Sequence, residues 1–177
     1  MSASDASPKP EFSRPHAADT IGRGGKPVRI AANASERAAL ARRFGLLSLE
    51  SLAASCRLTP IPGGMIELAC DLEVEATQEC VVTLAPVKAG IVDSFRLRYT
   101  LEPAGPPPGE GEEIDMESED PPETMEGGMI DLGEAVAQHF ALALDPYPRA
   151  PGASFTAGPP ETASNPFAIL SKLKGKP

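Results

Sequence analysis

The side chains able to do chemistry in this 177-residue chain are few. The cysteines are Cys56, Cys70 and Cys80, spaced 14 and 10 residues apart with no Cys-x-x-Cys pair. A structural zinc site wants four ligands in close pairs, so this spacing argues against one. Cys70 and Cys80 fall on inward positions of an alternating pattern, where a thiol acts as a small apolar group. An odd number of cysteines suggests reduced thiols and a cytoplasmic protein. The histidines are His16 and His139. His139 lies beside the apolar stripe of a predicted helix and reads as a partly buried structural residue. No nucleophile-elbow motif accompanies either histidine. Gly22-Arg23-Gly24-Gly25-Lys26-Pro27 lacks the spacing of a phosphate loop and the Ser/Thr after its lysine. The acids between 102 and 128 lack the ligand spacing and central glycine of a calcium loop. These absences predict a protein that is not an enzyme, needs no cofactor or metal, and takes no small-molecule substrate.

The elements that position these groups follow from periodicity. Over Met65–Thr77, Ile66, Leu68, Cys70, Leu72, Val74 and Ala76 alternate with Glu67, Asp71, Glu73 and Glu75. Period two marks an antiparallel strand with one wet face. Pro62-Gly63-Gly64 supplies a turn, predicting a hairpin with Cys56–Pro60. Cys80, Val82 and Leu84 extend the alternation, and Phe95, Leu97 and Tyr99 repeat it with Arg96 and Arg98 outward. Those arginines are expected to balance Glu73 and Glu75 across strands on a solvated face. Another strand is expected to begin near Val28 and Ile30. Asn33 with Glu36 forms a capping box ahead of Ala39, Leu40 and Phe44, and Gly45 ends that helix. A second short helix is expected over Leu49–Ala54. Asp131 with Glu134 repeats the box before Leu132, Val136 and Phe140, and Pro146 ends the helix.

The remainder is built differently. Pro and Gly number 20 and 16, while aromatic residues are 5%. Residues 1–27 read as a flexible arm without its own core, and 28–145 as a single domain. Residues 102–128 carry ten acids and no basic residue, which predicts a mobile acidic loop. The net charge of −9 comes from this block. Residues 146–177 form a Pro-rich tail ending in Asn165-Pro166-Phe167-Ala168-Ile169-Leu170-Ser171-Lys172-Leu173-Lys174. That segment starts as a helix should, with Phe167, Leu170 and Lys174 on one side and Leu173 nearby, and is too short to stand alone. It is expected to dock, through Asn165, Pro166, Phe167, Leu170, Lys172, Leu173 and Lys174, on its own domain or a partner. No apolar run reaches the roughly 18 residues of a membrane span, and Met1-Ser2-Ala3-Ser4-Asp5 lacks the apolar core of a secretory signal. The fold class expected is α+β, an antiparallel sheet packed against two or three helices.

Several segments together resemble the YceD family, the large ribosomal RNA subunit accumulation proteins. They are the strand into Gln78-Glu79-Cys80-Val81-Val82-Thr83-Leu84, the acidic loop, Ile130-Asp131-Leu132-Gly133-Glu134-Ala135-Val136, the run Leu142–Pro148, and the Asn-Pro-Phe ending. The similarity extends over residues 28–174. Cys80, Asp131 and Leu132 are the motif positions with structural roles. Many members carry Cys-x-x-Cys at this strand. Here Thr77 replaces the first cysteine and none follows Cys80, so a metal or thiol role does not carry over. The resemblance implies a non-enzymatic, cytoplasmic, bacterial factor supporting synthesis, processing or accumulation of large-subunit ribosomal RNA. It implies ribosomal RNA or a large-subunit ribosomal protein as partner and no membrane. Arg29, Arg37, Arg42 and Arg43 are the candidate contacts for phosphate or an acidic partner. The alternative is an acidic adaptor or chaperone for a basic protein, unrelated to RNA.

Overall fold

The computed structural model describes residues 10–101 and 121–155. The 102–120 part of the acidic loop and the closing 165–174 segment lie outside the described residues. Strands β2 (Lys26–Ala31), β3 (Ser48–Ile61), β4 (Met65–Glu79) and β5 (Pro86–Thr100) form an antiparallel sheet, with α1 (Ala34–Arg43) between β2 and β3. A short β6 (Glu123–Thr124) joins β5 in parallel. A separate ribbon pairs β1 (Pro15–Ala17) with β7 (Met129–Asp131), which leads into α2 (Leu132–Ala143). The fold is therefore α+β, with two helices on a five-stranded, mostly antiparallel sheet among the described residues. None of the described helices is long and apolar enough to cross a membrane.

The alternation in β4 dictates this layering. Ile66, Leu68, Cys70, Leu72, Val74 and Ala76 are all buried. Leu52, Ala54, Cys56 and Leu58 of β3 share their face. Burying each large aliphatic side chain is worth about 1.5–3 kcal/mol, so one face must be covered. α1 packs on β3, and α2 on β4 and β5. The helices meet through Phe44 and Phe140, edge to face at 5.5 Å. Pro62-Gly63-Gly64 makes the expected turn, with Gly63 and Gly64 at φ +84° and +72°, a region glycine enters without a Cβ penalty. The capping box of α1 forms as well, Glu36 N–H donating to Asn33 Oδ1 at 3.0 Å and Asn33 N–H to Glu36 Oε2 at 2.8 Å.

Four local expectations change. Leu49–Ala54 is strand, part of β3, because a bulge between Leu49 and Ser51 shifts the register. Leu49 and Leu52 both stay inward, three residues apart, and that spacing mimics a helix. Cys80–Ala85 is a turn, closed by Cys80 N–H to Ala85 O at 2.8 Å and Leu84 N–H to Cys80 O at 2.9 Å. Asp131 caps α2, accepting from Gly133 and Glu134 N–H, but Glu134 turns away to Arg43 and completes no box. Residues 10–27 pack on the body. Phe12 is 0% exposed beneath the Arg14 guanidinium, at 4.6 Å. Asp131 accepts from Ser13 Oγ and Arg14 N–H at 2.5 and 2.7 Å.

Two ion-pair clamps hold these pieces. Arg14 bonds both oxygens of Glu36, and Arg43 bridges Glu11 and Glu134. The side-chain bond from Arg14 holds Glu36 below the ordinary 4.5, and that from Arg43 does the same for Glu134. A depressed carboxylate stabilises the fold fully above its unfolded value, and that contribution disappears as pH falls through the lower folded value. Stability is expected to fall as pH drops from about 4.5. E36Q with E134Q flattens that fall and costs about 1 kcal/mol or less per pair at pH 7. Urea midpoints between pH 7 and 3 are the check. An equally steep fall in the double variant would assign acid sensitivity to other groups.

Candidate nucleic-acid interface

Alternation that buries one face of the sheet turns the other outward, and none of the described helices covers it. Cross-strand register sorts its charges into rows. One row runs Pro27, Arg57, Ala69, Arg96, and the next runs Arg29, Ser55, Asp71, Ser94. Beyond them lie Glu73, opposite Val92, and Glu75, opposite Gly90. The face is thus cationic toward the β3–β4 turn and acidic toward the other end. Arg29, Arg57 and Arg96 are exposed. They belong to neither the Arg14 nor the Arg43 clamp, and no acidic partner holds them among the described residues. Strands lie about 4.8 Å apart, which sets Arg57 and Arg96 about 10 Å apart across Ala69. Ser55, Ala69 and Ser94 are small and form the floor of an open depression of ≈ 920 Å³.

This geometry corrects the expected charge balance. Arg98 sits opposite Glu67, and Arg96 opposite Ala69. Neither faces Glu73 or Glu75. The β4–β5 turn is centred between Val82 and Thr83, and that centre fixes the pairing. Arg57 was not among the candidate contacts, although the Gly63 turn places it in line with Arg96.

The four candidate contact arginines are divided by the fold. Arg29 lies on the open face. Arg37 and Arg42 belong to α1, which covers the other face, and Arg37 donates to Ala32 O at 2.8 Å. Arg42 is exposed on the helix. Arg43 is engaged by Glu134 at 2.8 Å and Glu11 at 3.0 Å, and these bonds raise its pKa. It is a clamp between α1, α2 and the N-terminal segment, so its charge is already neutralised.

The residues with potential reactivity are dispersed. Cys56 and Cys70, directly opposed on β3 and β4, form a disulfide where reduced thiols were expected. The hairpin centred on Gly63 dictates that opposition. Cys80 is fully buried, its sulfur accepting from Thr83 N–H at 3.4 Å and Ala150 N–H at 3.2 Å. The Thr83 side chain and these amides lower its pKa, against the opposing effect of burial. Thr77, at the position of the missing cysteine, donates its hydroxyl to Glu50 at 2.8 Å. Leu132 is buried and Asp131 ties the N-terminal segment to α2. His139 stacks on Phe95 at 3.7 Å, and burial lowers its pKa. Among the described residues no group of three His, Cys, Asp or Glu converges to hold a metal.

The family model described as large ribosomal RNA subunit accumulation protein YceD matches residues 68–174. That span exceeds half of the chain and includes Asp71 and Arg96, while Arg29 and Arg57 precede it. No match was found among curated proteins or among solved structures.

Proposed function

The chain belongs to the YceD family of large ribosomal RNA subunit accumulation proteins, and from that premise we propose that it acts by binding RNA directly and without catalysis. One observation carries the reading: Arg29, Arg57 and Arg96 stand exposed and, among the described residues, without acidic partners around a small-residue floor. Guanidinium groups form strong, charge-assisted and often bidentate bonds with phosphate. Small side chains between them let a sugar–phosphate backbone approach the sheet. The acidic far end, with Glu73 and Glu75, repels the same backbone and confines it to one half of the face. Net acidity of the whole chain does not oppose this, because the potential near a surface is set by local charge within about a Debye length, 8 Å at physiological salt.

Affinity purification of the full chain from lysate, with and without RNase, tests the reading. Large-subunit ribosomal RNA is expected to co-purify in untreated lysate. A ribosomal protein that stays bound after RNase, with no RNA recovered beforehand, would replace RNA with a basic protein as the direct partner.

A further inference from the structure

We propose that Asp71 makes the arginine-lined face selective for ribose, by accepting a hydrogen bond from a 2′-hydroxyl of an A-form RNA helix whose phosphates are held by Arg57 and Arg96. The inference rests on the reading of this face as an RNA surface.

Asp71 sits in the middle strand, one outward step from Ala69 and between Ser55 and Ser94 across the sheet. It is exposed and, among the described residues, forms none of the ion pairs, although Arg29 shares its row. An unpaired carboxylate at the centre of a phosphate-binding face is unfavourable unless the ligand offers a donor there. A ribose 2′-hydroxyl is such a donor, and deoxyribose has none. The ionised carboxylate oxygens of Asp71 only accept, so a donor is what they select.

The layout selects the helical form of RNA. Base recognition in single strands uses aromatic side chains as stacking platforms. The cationic rows carry none: their outward residues are Pro27, Arg57, Ala69, Arg96, Arg29, Ser55, Asp71 and Ser94, while Phe95 is buried on the opposite face. An A-form helix instead presents a wide, shallow minor groove flanked by phosphates and floored by 2′-hydroxyls. Two cations about 10 Å apart with an acceptor one step along the strand between them complement that surface. Recognition is then of shape and sugar rather than of base sequence.

The test compares an RNA hairpin with a DNA hairpin of the same sequence, by fluorescence titration of the full chain and of D71A and D71N. The wild-type protein is expected to prefer RNA about tenfold, the value of one good hydrogen bond. D71A brings the ratio to within about twofold: losing the negative charge tightens both ligands, while losing the acceptor removes the extra bond from RNA alone. D71N keeps an acceptor and retains most of the preference while tightening both ligands. Unchanged RNA preference in D71A, or no preference in the wild type, overturns the proposal while leaving RNA binding in place. Failure to bind either hairpin overturns the RNA reading and this inference with it.

Discussion

Replacing Gly133 with alanine is expected to destabilise the protein by about 3 kcal/mol, although the same change in an ordinary helix stabilises by up to about 1 kcal/mol. Gly133 is buried in the first turn of α2. A Cβ built there stands 2.3 Å from Phe12 O, 2.8 Å from Phe12 C and 3.0 Å from Arg14 N. All three neighbours are backbone, so no rotamer change relieves the clash. The N-terminal segment must lift, and it takes with it the buried Phe12 ring, worth about 1.5–3 kcal/mol. Two bonds to Asp131 and the β1–β7 pairing are lost or bent as well. Urea unfolding gives the loss directly, and limited proteolysis should open the 10–17 segment first. A neutral or stabilising G133A would mean that this segment does not dock against α2.

Truncating Arg29, Arg57 and Arg96 together to alanine is expected to weaken binding to a large-subunit ribosomal RNA fragment about a hundredfold. Each phosphate contact is assigned about 1 kcal/mol, and three sum to about two decades in affinity. Folding should be preserved, because these side chains are exposed and, among the described residues, outside the ion pairs, and such substitutions change stability by about 0.5 kcal/mol or less. R42A on α1 serves as a charge control. It removes an exposed arginine from the covered face and is expected to change affinity less than about twofold, as a distant screened charge should. Equal losses from R42A and from a single open-face substitution would point to a diffuse charge effect without a defined surface.

The parts of the fold that could be read from sequence are those whose cause is local. The β4 alternation, the Pro62-Gly63-Gly64 turn and the Asn33 cap each concern residues within a few positions of one another, and they formed as expected. Leu49–Ala54 reads as helix in the sequence because the bulge at Leu49/Ser51 hides strand periodicity behind a three-residue spacing. Phe12 looked like part of a coreless arm because its burial depends on Gly133, more than a hundred residues away. The candidate surface was only partly visible for the same reason. Arg29 was recognised as a basic residue, but its company with Arg57 and Arg96 arises from strand register. That register was nevertheless encoded in the turn centres. A hairpin about Gly63 places Cys56 against Cys70 and Arg57 against Ala69, and a turn between Val82 and Thr83 places Arg96 beside the same Ala69.

The salt dependence of RNA affinity, measured for the wild-type chain and the R29A/R57A/R96A variant, tests the central claim most directly. Each phosphate neutralised releases condensed counterions, giving a log–log slope of about −0.7 to −0.9 per contact. Three contacts predict a slope of about −2 to −2.7 for the wild type, falling toward zero in the variant. Matching slopes and affinities for the two proteins would contradict the account, because RNA would then be held by some other part of the chain.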